Sequence, residues 1–238
     1  NRIEVSHVGS LPRPDKLREA NKKRLENRGE LDGFDAILAE SVVDVLAKQK
    51  EVGITIPNDG EYGKSMSGKV DYGAWWSYSF QRLGGLELKG GAGFAAVTPH
   101  VESTPGNVQL TNFANRRDWV KFAEAYQDPT AGIQLSDSSD GPMPQFPVAT
   151  GPIIYTGQDA VQSDIANMKA AMEANGMDEG FITSVAPGSA ARVGNAYYET
   201  DEEFIYACAD ALREEYKAIV DAGLILQIDD PSIAENWD

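Results

Sequence analysis

Three short polar clusters hold the residues of this chain best suited to chemistry. The first runs from Ser6 to Arg13 and contains His7, Gly9, Ser10 and Arg13. Glycine lets a backbone approach a ligand closely, so the N–H groups of Gly9 and Ser10 are candidates to hold a carboxylate or phosphate. Arg13 is a candidate for a two-pronged anion contact if its side chain points inward. His7 is one of only two histidines; by itself, a histidine in an apolar run is more often a core residue than a ligand. The second cluster runs from Pro57 to Lys64, with Asp59 and Glu61 two positions apart among glycines. Paired acids there suit an ammonium group or a metal-bound substrate, against the plainer reading of an Asp-Gly turn with solvated acids. The third is Gln227-Ile228-Asp229-Asp230-Pro231. Asp229 ends an apolar run, where a carboxylate needs a cationic partner, and a substrate amine would serve.

Hydrophobic periodicity predicts the elements that must position these clusters. An extended run, Ile3 to Val8, leads into the first cluster, and a charged, helix-compatible stretch covers 15–28. Asp35 to Val52 has an apolar stripe at helical spacing, closed by Gly53, and Ile54 to Asp59 leaves as a second strand. Residues 62–118 are irregular and rich in glycine and aromatics (Trp75, Trp76, Tyr78, Phe80), which predicts a long insertion. Phe146 to Thr150 is a predicted third strand, Val161 to Asn175 a helix closed by Gly176, and Gly180 to Ala186 a fourth strand. Asp201 to Ala222 is a long helix with a capping box at Thr200 and Glu203, and Leu224 to Ile228 is a fifth strand.

Near-continuous apolar strands alternating with helices predict a parallel sheet covered on both faces. No Gly-x-Gly-x-x-Gly follows the first strand, which disfavours a dinucleotide-binding sheet. Polar residues gather at strand ends, where a (β/α)₈ barrel puts its active site. The expectation is therefore a TIM barrel, present as about its first five β/α units, with residues 1–238 forming one portion of a single catalytic domain. An unclosed barrel exposes strand edges, so this length is not expected to fold in isolation.

Composition narrows the partners. The net charge is −16, from 37 acidic against 21 basic residues, a field that repels nucleic acids and anionic membranes. No run approaches the roughly 20 apolar residues of a membrane span. The one cysteine, Cys208, lies on the apolar stripe of a predicted helix and reads as a buried structural thiol, and a cytoplasmic location is expected. His100, Tyr197, Tyr198 and the charges of 18–28 have plain packing or solvent readings, while Arg192 is a candidate to face the rim. Trp75-Trp76 suits equally the wall of a donor site and a core or homo-oligomer contact.

Taken in order, His7 to Pro14, Asn58 to Gly63 and Gln227 to Pro231 resemble the catalytic barrel of cobalamin-independent methionine synthases and their single-barrel relatives, which include epoxyalkane:coenzyme M transferase. The resemblance implies a barrel of the uroporphyrinogen-decarboxylase and methionine-synthase type, and transfer of a methyl or alkyl group to a small thiol, homocysteine first. It implies that Gly9 and Ser10 clasp the substrate and that Glu61 and Asp229 bind its amino group, with His7, Arg13 and Asp59 as further substrate-binding candidates. It also implies zinc, held by a His-x-Cys pair, a glutamate and a distant cysteine. This sequence has no His-x-Cys, so no catalytic or metal-ligating residue is assigned, and the ligands are expected beyond Asp238. The family's Arg-Cys-Val-Arg-Pro segment, which helps hold substrate, is replaced by Val148 to Ile154, and the family's large folate-binding barrel is not expected ahead of the first motif, which leaves the alkyl donor open. Competing readings are coenzyme M alkylation, a metal-free decarboxylase, for which the rim is too acidic, and a non-catalytic barrel.

Overall fold

The computed structural model describes residues 3–27, 31–64, 81–90, 104–107, 121, 145–231 and 233. Trp75, Trp76, Tyr78, Phe80 and His100 lie outside the described residues, as does most of the predicted insertion. In chain order the elements are α1 (Asp15–Glu26), α2 (Phe34–Glu51), β1 (Leu83–Gly90), β2 (Gln145–Tyr155), α3 (Gln158–Asn175), β3 (Phe181–Val185), α4 (Pro187–Ala190), β4 (Gly194–Asn195), α5 (Asp201–Asp221) and β5 (Ile225–Asp229). They divide between two compact units. One comprises Asn1–Leu83, Tyr155–Val185 and Leu212–Asp229; the other comprises Gly84–Ile154, Ala186–Ala211 and Asp230–Asp238.

The first unit is built on parallel lanes. Val5 O accepts from Thr55 N and Ile56 N, and Leu11 N donates to Gly60 O, so these two segments advance together in the same direction. Neither is a regular strand; both make lane contacts without a continuous ladder. Asn58 then bridges Phe181 in parallel, and β3 pairs with β5 in parallel from Phe181↔Ile225 to Val185↔Asp229. Four lanes thus follow one another, with α5 crossing between the last two.

Helices cover one face. On α2 the buried positions are Phe34, Leu38, Ser41, Val42, Val45, Leu46 and Gln49, a stripe at the spacing a core-facing helix requires. It packs against α3, which buries Val161, Asp164, Ile165, Met168 and Ala171. Leu46 and Met168 are fully buried, each contributing about 1.5–3 kcal/mol by burial. Polar bonds seal the seam: Lys50 Nζ donates to Asn175 O, and Asn175 Nδ2 to Val43 O. The helices stop where glycines take positive φ, at Gly53, Gly176 and Gly223, as the sequence predicts.

The second unit carries a three-stranded sheet in the order β1-β2-β4. Here one expectation is corrected. The predicted third strand, Phe146 to Thr150, lengthens to Gln145–Tyr155 and pairs with β1 and β4, with Val148↔Gly194 and Ala149↔Asn195. It does not join the lane system, in which β3 stands next to the Asn58 segment. An apolar run reveals its strand character but not its partner, because pairing is decided by distant residues. The fold is α/β, and no closed barrel is formed among the described residues. The capping box at α5 is present: Glu203 N donates to Thr200 Oγ1 at 3.1 Å and Thr200 N to Glu203 Oε2 at 3.3 Å. Cys208 is 1% exposed, and burial pushes its thiol up to about 12, which makes it inert.

Candidate functional site

The site of interest lies in the first unit, where the segment after Gly9 meets the turn at Gly60. Gly9 has φ 85, a conformation that strains any side-chain-bearing residue, and it sets the direction of Ser10. Ser10 Oγ donates to Glu61 Oε2 at 2.5 Å. The contact extends into a zipper between the two loops. Leu11 N donates to Gly60 O at 3.1 Å, and Tyr62 Oη donates to Pro12 O at 2.8 Å. Arg13 Nη2 donates to Glu61 O at 2.6 Å and to Lys64 O at 3.3 Å. Arg13 is buried and holds loop carbonyls, whereas the sequence offered it as an anion-binding group.

Local structure at the turn follows from its side chains. Asn58 Oδ1 accepts from Gly60 N at 2.8 Å and Asp59 Oδ1 from Glu61 N at 2.9 Å. These tandem short-range bonds compete successfully with strand pairing and curl the chain. Gly60 has φ 68, and a Cβ there would meet the Tyr62 ring at 2.8 Å. A Cβ on Gly63 would collide with Asp164 Oδ1, so a side chain here requires that carboxylate to move. Gln49, reaching from α2, bonds both Asn58 N and Asn58 O.

Both acids of the turn are buried, Asp59 at 2% and Glu61 at 4% exposure; this removes the reading of a solvated Asp-Gly turn. Asp59 is spent on the backbone N–H of Glu61. Desolvation pushes its carboxyl up to about 6, opposed by Lys64 and reinforced by Asp164. Lys64 is itself buried, and its Nζ donates to Thr183 O on β3. That bond ties the turn to the next lane.

Register decides which side chains share a face. Ser184 Oγ donates to Glu215 Oε1 of α5 at 2.7 Å, so the even positions of β3 look toward the helices. Phe181, Thr183 and Val185 look the other way. Their ladder partners share that face: Asn58 with Phe181, Gln227 with Thr183, Asp229 with Val185. The His7 ring also packs against Phe181, 6.0 Å between centroids. Asp229 is half-buried at the C-terminal end of β5. The structure therefore joins Ser10 to Glu61 and puts Asp229 at the same end of the parallel set, with β3 between.

Several further polar groups are buried around the site, of which Thr183, Arg82, Asp164 and Glu215 carry no motif in the sequence. His7 Nε2, Asn58 Nδ2 and Thr183 Oγ1 are buried with no hydrogen-bond partner among the described residues. Beneath the turn, Arg82 pairs with Asp164 and, at 3.0 Å, with Glu215. Tyr155 Oη donates to Glu215 Oε2 at 2.5 Å. Asp164 and Glu215 stand on the apolar stripes of α3 and α5, between Val161 and Met168 and between Leu212 and Ile219. An acid on a core-facing stripe was the signal that could have found them. Arg192 belongs to the second unit, where its backbone N closes the turn after α4. Among the described residues no three His, Cys, Asp or Glu side chains form a metal-holding group, so those residues alone do not make a zinc site. No described helix is long and apolar enough to cross a membrane.

Comparison with known proteins adds to this geometry. No family model matches the sequence. The chain is 24% identical over 236 residues to the uncharacterized protein YxjH of Bacillus subtilis (strain 168), covering 97% of this chain and 48% of that protein. Its fold is similar to a B12-independent methionine synthase from Shewanella sp. W3-18-1, solved in complex with selenomethionine, with TM-score 0.57, 16% identity, and coverage of 96% of this chain and 52% of the other. It is likewise similar to a putative vitamin-B12-independent methionine synthase from Listeria monocytogenes, with TM-score 0.56, 19% identity, and coverage of 98% and 54%. The chain spans about half the length of each. At these identities the structural likeness is one of fold.

Proposed function

We propose that this chain contributes the substrate-binding half of a methionine-synthase-like enzyme that transfers a methyl or alkyl group to a small thiol, homocysteine being the first candidate. The parallel lanes are then the opening part of a (β/α)₈ barrel, with the site at the C-terminal ends of its strands. The observation that carries the reading is the Ser10–Glu61 bond on two adjacent lanes, with Asp229 ending a lane farther along the same rim. The fold likeness to two methionine synthases supports it.

In this reading Glu61 and Asp229 receive the substrate's ammonium group, Ser10 holds the Glu61 carboxylate in place, and the N–H groups at Gly9 and Ser10 face its carboxylate. The thiolate sulfur attacks the electrophilic carbon, an S–C bond forms, and the donor atom leaves with the bonding pair and gains a proton. Zinc belongs to the proposal as the group that keeps a thiol ionised at neutral pH, with its ligands outside the described residues.

The test offers the full-length protein L-homocysteine with methyltetrahydrofolate, and separately coenzyme M with epoxypropane, and follows the loss of free thiol. Consumption of homocysteine, lost in Glu61→Gln and Asp229→Asn, is the expected result. Consumption of neither thiol by metal-replete protein overturns the reading, and consumption of coenzyme M alone replaces homocysteine as the acceptor.

A further inference from the structure

Glu61 adopts φ 60, making it the positive-φ residue other than glycine among those described. For a residue with a side chain this left-handed conformation is sterically disfavoured, and it follows Gly60 at φ 68. Something must hold the backbone there. The Glu61 N–H is bound by Asp59 Oδ1 at 2.9 Å, just as the Gly60 N–H is bound by Asn58 Oδ1 at 2.8 Å. The same job is thus done by an amide at one position and a carboxylate at the next. The carboxylate is the harder one to keep, being 2% exposed. Lys64 is the cation facing it; Asp164 from α3 and Glu61 itself are like charges, and the Tyr62 phenol also lies within its field. Asp164 is in turn neutralised by Arg82.

We propose that Asp59 is a positioning residue: with Lys64 as its counter-charge, it clamps the Glu61 N–H and so aims the Glu61 carboxylate at Ser10 and at the ligand's amine. The ligand part of this statement rests on the function proposed above; the clamp does not. A charged acceptor bonds an N–H about twice as strongly as a neutral one, so an acid holds the strained turn better than the amide beside it would. The arrangement also makes the clamp sensitive to protonation, because burial lifts the Asp59 carboxyl to about 6.

The experiment uses the full-length protein and two variants, Asp59→Asn and Asp59→Ala, with two readouts. The first is the hydrogen-exchange protection of the Glu61 amide between pH 5 and 8; the second is the Kd for L-methionine, an unreactive probe bearing the same amino-acid head. In the unsubstituted protein, Glu61 protection falls as the pH drops through about 6. Asp59→Ala lowers protection and weakens methionine binding by roughly tenfold each, the scale of one charge-assisted bond. Asp59→Asn recovers much of the protection and shows no inflection near pH 6. Unchanged Glu61 protection in Asp59→Ala overturns the clamp, as does an inflection that persists in Asp59→Asn. If the clamp behaves as described but the unsubstituted protein binds no methionine, the clamp stands and the proposed substrate falls. Should Asp59→Ala not fold, Asp59→Asn alone decides, through the presence or loss of the inflection.

Discussion

Arg82 and Glu215 are 133 positions apart in sequence and 3.0 Å apart in the structure, both almost wholly buried. Asp164, Tyr155 and Ser184 join them in a network in which one guanidinium meets two carboxylates. Such a cluster adds little stability over a well-packed apolar core, but removing one member leaves a buried charge uncompensated. Arg82→Met is therefore expected to destabilise the full-length protein by about 3–5 kcal/mol, read from urea unfolding midpoints. A loss within the error of the midpoints would show that the network is hydrated.

Thr183 tests the opposite case. Its hydroxyl is buried with no partner among the described residues, while its carbonyl accepts from Lys64. Thr183→Val removes the hydroxyl and keeps the shape and the carbonyl. Replacing an unsatisfied buried hydroxyl by a methyl is neutral or stabilising, so the melting temperature is expected to hold or rise. A clear fall would mean that the hydroxyl has a partner.

The pH dependence of stability follows from Asp59. Its carboxyl is raised from 3.8 to about 6 in the folded chain, chiefly by desolvation. The folded state therefore binds this proton more tightly than the unfolded state does. Its contribution to stability is greatest below 3.8 and is lost as the pH rises through about 6. Against Asp59→Asn, which cannot titrate, the unsubstituted protein should lose relative stability between pH 4 and 7. Parallel stability curves for the two proteins would contradict the shift.

Gly63 is expected to accept a side chain only at a cost, because a Cβ there collides with Asp164 Oδ1, and Asp164 is pinned by Arg82. Gly63→Ala should destabilise by about 1–3 kcal/mol as an overpacking change, measured by thermal unfolding. Full stability would show that the turn can shift away from α3.

Cys208 should be silent toward an aromatic disulfide reagent under native conditions and react only as the protein opens, given its 1% exposure and a thiol pushed up to about 12. Rapid native labelling would overturn its structural reading.

Adjacent residues were enough to place the long helices, but not the first two lanes, which lack a regular ladder, nor β1, which lies in the stretch read as irregular. Helical spacing placed α2, α3 and α5 to within a few residues of their ends, because an apolar stripe and a terminal glycine are properties of adjacent positions. Ser10, Glu61 and Asp229 were legible as candidates because polar residues that interrupt the ends of apolar runs stand out from the pattern around them. Tertiary structure alone decided which lanes are neighbours. It put β2 with β1 and β4, and set Asn58 beside Phe181, since strand pairing joins residues that no local pattern connects. It also decided how each acid is used. Asp59 and Glu61 read alike in sequence, yet one holds a backbone N–H from within while the other reaches Ser10. The difference lies in burial and in the direction of a left-handed turn, which are fixed only when α3, β3 and the loops at Ser10 and Gly60 are packed together.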